Sequence, residues 1–279
     1  MTWSGLNPAA HANAMIDNTE FLEPNSPLIG AIPASEPKPT DLKARILNDN
    51  LTVLDDIGDL PPLPSRATRR IGKRNKISSR GGVVVQLPSW ERPRIVYFES
   101  KLEQRVMFLL LARGDVIDLR EQSPLVRYFD DQGQPKHHFI DFYIVLQSGR
   151  RIAIVVKPAK IAARTKFMRE LRNIRTAIRK DFADDLVLIT DQDFTRDEAL
   201  NAERYHDFSR YRCPATYDRL HALVSTISFP TTVGNLARAL DADGSSFRTI
   251  FIAIYEGLLT ADRTSKIDAD TLISKGGAQ

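Results

Sequence analysis

The sequence predicts an α/β fold: a mixed sheet flanked by helices, followed by a small helical domain and preceded by an extended segment. Three observations lead to this prediction. Apolar strands alternate with striped helices in the middle of the chain, helical spacing returns after about residue 215, and nine of the sixteen prolines fall within residues 1–65. A chain of 279 residues that is 42% hydrophobic can bury at least one sizeable core. We place the domain bounds at 1–64, 65–205 and 206–279.

The N-terminal segment differs from the rest in charge. Residues 1–65 hold nine acids and three bases, a local net charge of −6, which leaves +10 for the remainder of a chain whose total is +4. An acidic, proline-rich segment with few apolar runs is expected to be extended or to fold only against a partner. One short helix is predicted over Leu42–Leu54.

A basic tract follows directly. Seven bases crowd into residues 66–80 without an acid. Such a tract commonly contacts phosphates, although a solvated flexible linker has the same composition. Its position just before the predicted core favours DNA binding. The candidate residues are Arg66, Arg69, Arg70, Lys73, Arg74, Lys76 and Arg80.

The first core element is a helix over Phe98–Ala112, with Gly114 as its stop. Glu99 and Glu103 lie one turn apart and are predicted to project on the same side. Glu103 sits at the edge of the buried stripe. A strand ending in a turn is predicted over Val116–Pro124.

Two adjacent strands, 137–146 and 151–158, are predicted next, joined by a turn at 147–150. The first carries a single acid, Asp141, and the second ends in Lys157. Burying an unpaired charge is costly, so an apolar strand rarely carries one unless a partner or a metal awaits it. The pair can form the floor of a phosphodiester-cleaving site or an ordinary ion pair at a strand edge.

Strand alternation puts Asp141 and Tyr143 on one face, and Ile140 and Phe142 on the other. Both faces are apolar, which predicts helices covering the sheet on each side. His137 and His138 adjoin the acid but lack metal-ligand spacing.

A second helix is predicted over Ala162–Lys180, before a buried strand at Asp185–Thr190. Its core stripe is Phe167, Leu171, Ile174 and Ile178. Four arginines fall along one flank of that stripe, where they can grip a phosphate backbone or simply be solvated. They are Arg164, Arg172, Arg175 and Arg179.

The C-terminal region reads as helix, turn, helix and two short strands, the order of a winged helix. The strands are predicted at 258–260 and 266–273. The helix in the recognition position, 245–256, offers only Arg248 as a base and includes Glu256. Base reading normally needs several polar or basic side chains, so we favour assembly with a partner protein over sequence-specific recognition.

Four ordered motifs carry a family resemblance, and the region that contains them runs from Arg94 to Thr190. Together they resemble TnsA, the restriction-enzyme-like endonuclease subunit of a cut-and-paste transposase. The motifs are Glu-Ser-Lys-Leu-Glu at 99–103, Val-Ile-Asp-Leu-Arg-Glu-Gln-Ser-Pro-Leu at 116–125, Ile-Asp-Phe at 140–142 and Val-Lys-Pro-Ala at 156–159.

The resemblance implies a restriction-endonuclease-like core with a PD-(D/E)xK-type site. Glu103, Asp141 and Lys157 would be catalytic, and Glu103, Asp141 and the carbonyl of Val156 would hold Mg²⁺, for which Mn²⁺ can substitute. Lys157 would orient or deprotonate water, or act as a point charge. The implied activity is metal-dependent hydrolysis of one DNA strand at each transposon end, on the 5′ side. The implied partners are double-stranded DNA, a DDE-type transposase subunit and an ATPase regulator.

One position departs from the family pattern. Glu or Gln is expected two residues before the lysine, and this chain has Val155, which cannot bind a metal through its side chain. Glu99 is a possible accessory acid from one turn away. Two alternatives therefore stay open: a catalytically weak or dead DNA-binding assembly protein, and a free-standing phage or restriction-type nuclease.

Other classes are disfavoured by composition. The longest apolar run, Val106–Ala112, is too short to span a membrane, and no charged start precedes an apolar segment near Met1. Cys213 stands alone, which excludes internal disulfides and cysteine-rich zinc sites and fits a reducing cytoplasm.

Overall fold

The computed structural model describes residues 60–68, 79–241 and 243–277. Within these ranges the chain is mixed α/β, as predicted. The predicted helix at Leu42–Leu54 lies outside them, as do Arg69, Arg70, Lys73, Arg74 and Lys76.

The described residues form eleven strands and seven helices. The strands are β1 (Gly81–Val85), β2 (Arg94–Phe98), β3 (Val116–Glu121), β4 (Leu125–Phe129), β5 (Pro135–Phe139), β6 (Phe142–Leu146), β7 (Arg151–Val156), β8 (Asp185–Ile189), β9 (Thr231–Thr232), β10 (Leu259–Thr260) and β11 (Leu272–Lys275). The helices are α1 (Lys101–Leu111), α2 (Ala159–Ala162), α3 (Thr165–Ala177), α4 (Arg196–Ser209), α5 (Pro214–Val224), α6 (Val233–Ala239) and α7 (Gly244–Tyr255).

A four-stranded mixed sheet in the order β3-β6-β7-β8 forms the centre of the first domain. β3 and β6 are antiparallel, as are β6 and β7, whereas β7 and β8 are parallel. A parallel neighbour requires a crossover, and α2 and α3 supply it between β7 and β8. The two strands predicted to be adjacent, β6 and β7, are indeed paired.

Apolar side chains cover both faces of this sheet, as predicted. Phe142 and Ile144 of β6 belong to a cluster that also contains Met107 and Leu110 of α1, here named the α1-side cluster. On the opposite face, Val155 belongs to the α3-side cluster.

That α3-side cluster is completed by side chains from three elements. Phe167 and Ile174 of α3 are buried in it together with Val126 and Tyr128 of β4. The predicted stripe of the second helix is therefore confirmed.

The predicted strand at 137–146 is wrong in one respect, because it is two strands. β5 ends at Phe139, β6 begins at Phe142, and Ile140 and Asp141 lie between them. β5 pairs with β4 in a separate two-stranded antiparallel sheet, here named the ribbon. The break also changes a face: Ile140 lies in the α3-side cluster and Phe142 in the α1-side cluster, although they were predicted to share a face.

The helix ends also differ from prediction. α1 begins at Lys101, so Glu99 lies outside the helix. The predicted helix at 162–180 is divided into α2 and α3, since Ala163 ends α2 and Arg164 has extended backbone angles of φ −75° and ψ 128°. Ile178 is likewise extended after α3, so Arg179 is not helical.

Residues 60–68 form an arm along β2 and β3. The Leu63 N–H donates to the Pro93 carbonyl at 2.8 Å, and the Ile95 N–H donates back to Leu63 at 2.9 Å. Arg66 forms an ion pair with Asp118 and donates to the Leu119 carbonyl at 2.7 Å. Burial alone would raise the pKa of Asp118, but the hydrogen bond and charge of Arg66 outweigh it and lower that pKa.

Trp90 lies against the arm. The guanidinium of Arg66 is 5.2 Å from the centroid of its ring and that of Arg94 is 5.9 Å away. The indole N–H donates to Asp118 at 2.9 Å. The arm is thus fixed by cation–π contacts as well as by the ion pair.

The C-terminal part contains α5, α6 and α7 with a three-stranded sheet in the order β10-β11-β9. The predicted second wing strand at 266–273 is displaced, since β11 spans Leu272–Lys275. Ile267 is instead fully buried in a cluster with Leu236, Phe251 and Ile273, here named the C-terminal cluster. Thr232 caps α6 by accepting from the Asn235 N–H at 3.1 Å.

Helix α4 joins the two parts, and the predicted boundary between residues 205 and 206 falls inside it. Ala199 and Ala202 are buried in the α1-side cluster, whereas Tyr205 and Phe208 pack on the C-terminal cluster. No helix within the described ranges is long and apolar enough to cross a membrane.

Candidate active site

Asp141 lies where the ribbon meets the central sheet, and it is only 6% exposed. Its Oδ2 accepts a hydrogen bond from the Val156 N–H at 2.8 Å and lies 3.5 Å from Lys157 Nζ. Its Oδ1 lies 3.4 Å from the side-chain Nε2 of Gln122. The acid is therefore buried with polar partners on both oxygens, as a functional carboxylate requires.

Lys157 follows directly after the last residue of β7. Its N–H donates to the Ile189 carbonyl of β8 at 3.1 Å, which fixes its backbone, while its side chain is 30% exposed. The juxtaposition of Asp141 and Lys157 expected from the two adjacent strands is present. The ammonium reaches the carboxylate from the solvent side.

Glu103 stands in the first turn of α1 and is 9% exposed. Ser100 caps the helix by accepting from the Glu103 N–H at 3.1 Å, and its hydroxyl donates to Glu103 Oε1 at 3.0 Å. The Glu99 N–H donates to Oε2 at 2.7 Å. These three hydrogen bonds fix the Glu103 side chain at the start of the helix, so Glu103 has a structural role there.

The pKa of Glu103 responds to a neighbouring acid as well as to burial. Burial raises the pKa of Glu103, and repulsion from the Asp141 charge raises it further. A smaller repulsion comes from Glu99, whose carboxylate is therefore also nearby. A buried acid whose pKa is raised by burial and by a neighbouring acid is a candidate member of a functional site.

Val155 is fully buried in the α3-side cluster and contributes only packing. Its neighbour Val156 contacts Asp141 through the backbone. The valine at the position where the family pattern expects Glu or Gln is thus explained by core packing.

Gln122 is a site residue that the sequence reading missed. It is 2% exposed, its backbone φ is 46°, and its N–H donates to the Asp141 carbonyl at 2.9 Å. A non-glycine residue in this left-handed region is uncommon and often belongs to a functional site. The signals in the sequence were its place in the motif at 116–125 and its position between a strand and Pro124.

The donor set was considered as a divalent-cation site. Within the described ranges, no group of three or more His, Cys, Asp or Glu side chains is arranged to hold a metal. What is present is a pair of buried carboxylates, Glu103 and Asp141, whose repulsion a cation would relieve. Hard cations accept carboxylate, main-chain carbonyl and water oxygens, so this set fits Mg²⁺ or Mn²⁺ with water completing the shell.

The basic residues predicted to bind DNA divide into two kinds. Arg66 is held by Asp118, Arg175 lies 3.2 Å from Asp185, and Arg179 lies 3.1 Å from Asp181. Arg164 and Arg172 are exposed and form no ion pair with the part of the chain that is described. The flank predicted to carry four arginines therefore offers two of them for phosphates.

Both described ends of the basic tract lie beside the acids. At one end, Thr68 donates through its N–H (3.3 Å) and its hydroxyl (3.1 Å) to the carbonyl of Gln122. At the other, Arg80 is half-buried and precedes Gly81, which pairs with Phe98 at the end of β2. Glu99 follows Phe98, so Thr68 and Arg80, the described residues at the two ends of the tract, both lie near the edge of the candidate site.

The two histidines do not join the acids. His137 is exposed on the ribbon, and His138 lies 3.9 Å from Glu170 of α3. Comparison with known proteins adds no identification, since no family model matches the chain and no curated protein matches it.

Proposed function

We propose that the protein is a divalent-metal-dependent DNA endonuclease with a restriction-endonuclease-like core. The observation that carries this proposal is the convergence of a buried acid pair, Glu103 and Asp141, with a lysine ammonium 3.5 Å from Asp141. Two carboxylates beside a lysine at the edge of a mixed sheet suit metal-assisted phosphodiester hydrolysis.

Each residue has a role in this proposal. Asp141 and Glu103, with the Val156 carbonyl, would hold Mg²⁺ or Mn²⁺, which would activate water and neutralise charge on the scissile phosphate. The Val156 N–H and Gln122 orient the Asp141 carboxylate. Lys157 approaches from solvent, where it can orient the attacking water or stabilise the phosphate as a point charge.

We further propose that the enzyme is a subunit of a cut-and-paste transposase. It would cleave one strand at each end of double-stranded transposon DNA, together with a DDE-type transposase subunit and an ATPase regulator. This part rests on the four sequence motifs between residues 99 and 159. The basic tract at residues 66–80 would contact DNA close to the site, and Arg164 and Arg172 would contact phosphates.

The C-terminal part supports a winged-helix assignment. Its elements follow the order α5, β9, α6, α7, β10 and β11, and β11 lies between the other two strands. Seven residues of α7 are buried, which fits core packing rather than base reading. We propose that this domain serves assembly.

A second candidate function is a catalytically inactive assembly protein that keeps the fold. Val155 favours it because one side-chain ligand is missing, and so does the use of both Glu103 oxygens at the start of α1. This alternative predicts DNA and partner binding without metal-dependent cleavage.

Metal binding separates the two. We expect crystals soaked in millimolar Mn²⁺ to give an anomalous peak between Asp141 and Glu103 that is lost in Asp141→Ala. Asp191→Ala is the matched control, because Asp191 is an exposed acid that accepts from the Ala159 N–H at 2.7 Å, just after Lys157. No peak in wild type, whether alone or bound to DNA, would favour the inactive protein.

Cleavage gives the second measurement. Nicking of supercoiled DNA in Mn²⁺ should be abolished in Asp141→Ala, Glu103→Ala and Lys157→Ala, each checked for folding, and kept in Asp191→Ala. Normal cleavage by all three variants would show that the site is assigned wrongly.

A further inference from the structure

The outer face of the ribbon has no role in the chemistry described above. Strands β4 and β5 pair over five residues each, and their side chains alternate between two faces. On the inner face, Val126 and Tyr128 are buried against α3, and the Tyr128 hydroxyl donates to Glu170 at 3.1 Å. The outer face carries three cross-strand pairs: Leu125 with Phe139, Arg127 with His137, and Phe129 with Pro135.

This outer face is apolar at its ends and basic at its centre. Phe129 is 56% exposed and Leu125 37% exposed, so both side chains are accessible to a ligand. Arg127 and His137 are both exposed and stand directly opposite each other. No acid lies on this face.

The two acids of the ribbon's turn are already engaged. Asp130 accepts from the Gln132 and Gln134 N–H groups and lies 3.6 Å from Lys136. Asp131 lies 3.6 Å from Arg169 and accepts from Asn173 at 2.9 Å, both on α3. The turn therefore opposes an anionic ligand only weakly.

The outer face runs directly into the candidate active site. The inward-facing His138 and Ile140 alternate with Phe139 on the outer face, and Asp141 follows Ile140 directly in the chain. Hydrogen bonds from Gln122 to Asp141 and from Ser123 to Ile140 extend the pairing to the acid. Five strand residues span about 17 Å, comparable to about five nucleotide steps at 3.4 Å each.

We propose that the outer face of the ribbon binds the DNA flanking the scissile phosphate, with Arg127 on the backbone and Phe129 against a sugar or base. This inference rests on the proposed nuclease function. A nucleic acid suits the face better than a protein does, because one ligand then satisfies the basic centre and the exposed ring, and because the face continues to the catalytic acid.

The test measures DNA binding without cleavage. The parent protein carries Asp141→Ala, and each ribbon substitution is added to this parent. Fluorescence anisotropy would measure how tightly each protein binds a labelled DNA duplex in metal-free buffer. Arg127→Glu should raise Kd at least ten-fold, and Phe129→Ala should raise it several-fold. Arg127→Ala should lower the slope of log K against log salt by about 0.9.

A matched control shares the charge change but not the location. Arg150 lies in the β6–β7 turn, at the opposite end of β6 from Asp141, and is 3.8 Å from Asp185. Arg150→Glu should therefore leave Kd within about two-fold of the parent, since distant surface contacts contribute little. Thermal unfolding of every variant would verify that the ribbon remains folded.

The possible results separate the two proposals. If the parent binds DNA and Arg127→Glu binds it as tightly as Arg150→Glu does, the ribbon inference is overturned while the nuclease proposal stands. A parent that binds no duplex would overturn both. Selective loss in Arg127→Glu and Phe129→Ala would support the ribbon as a DNA-binding surface.

Discussion

At the scale of single residues, Glu103 serves the start of α1 and the candidate site together. Its carboxylate accepts from Ser100 and Glu99, yet burial and the charge of Asp141 still raise its pKa above the usual value of 4.5. The folded protein therefore holds a proton on Glu103 more readily than the unfolded chain does. Ionising this residue destabilises the fold until a cation binds.

The contribution of Glu103 to the free energy of unfolding depends on pH. Because the folded pKa is raised, the stabilisation is fully present below pH 4.5 and is lost as the pH rises through the folded pKa. Gln cannot ionise, so we expect Glu103→Gln to be more stable than wild type by about 1 kcal/mol at neutral pH. Below pH 4.5 the difference should vanish.

Urea unfolding in EDTA, from below pH 4.5 to neutral pH, would measure the stability difference between Glu103→Gln and wild type. Glu91→Gln is the control, because Glu91 is exposed. A constant difference at every pH would contradict the prediction. Added Mn²⁺ should then stabilise wild type and not Asp141→Ala, by about 1.4 kcal/mol when free metal is ten times Kd.

Gln122 provides a second prediction. Its φ of 46° strains any residue with a Cβ atom, so Gln122→Gly should be more stable than Gln122→Ala by about 1 kcal/mol. Both variants lose the amide beside Asp141, so both should bind Mn²⁺ more weakly than wild type. Urea unfolding and a Mn²⁺ titration measure the two effects separately. Equal stability of Gln122→Gly and Gln122→Ala would show that the backbone at position 122 relaxes in the variants.

The sequence predicted some of these residues and not others, for physical reasons. The contact of Asp141 with Lys157 follows from two adjacent strands. Gln122 was missed because a positive φ depends on tertiary contacts. The pairing of Arg66 with Asp118 was missed because it joins residues 52 positions apart, so a base read as a DNA ligand is largely engaged within the fold.

At the scale of elements, the start of α1 positions the acid. We expect Ser100→Ala to destabilise the protein by about 1 kcal/mol through loss of the cap, and Ser100→Thr, which keeps the hydroxyl, to recover most of that loss. Denaturant unfolding measures both. If Ser100→Ala unfolds like wild type, the Ser100 cap contributes little and Glu103 is held by the Glu99 N–H and by packing.

Element boundaries were the least predictable part of the fold. Helical spacing identified α1 and α3 but placed their ends up to three residues too far out, because the stripe continues through residues that are no longer helical. The division at Ile140 and Asp141 was equally hidden, since a run that is apolar except for Asp141 continues across it from Phe139 to Leu146. Only the pairing of β5 with β4 rather than with the central sheet reveals it.

At the scale of the whole molecule, α4 makes the two parts one unit. The buried Asn201 donates to the carbonyls of Arg263 and Ser265 at 3.1 and 2.7 Å, and accepts from the Ile267 N–H at 3.2 Å. Arg204 adds a hydrogen bond to the Ile267 carbonyl at 3.2 Å. These contacts tie the loop before β11 to a helix that is also packed in the α1-side cluster.

We expect Asn201→Ala to destabilise the protein by about 1–3 kcal/mol, because the buried N–H of Ile267 loses its acceptor and two part-buried carbonyls lose a donor. Calorimetry should show a single unfolding transition in wild type and an earlier, broader one in the variant. Asn235→Ala serves as control, since Asn235 lies on exposed surface of α6. A wild-type protein that melts in two separate steps would argue against the shared helix.

The position of Trp90 gives the molecule a built-in optical probe. The chain has two tryptophans, Trp3 and Trp90, so Trp3→Phe leaves one indole, stacked against the guanidinium of Arg66. Emission from that indole is sensitive to a cation at its face and to solvent. If a nucleic acid draws Arg66 off Asp118, the fluorescence of the single-tryptophan protein will change, and arm release can then be followed in real time without any attached dye.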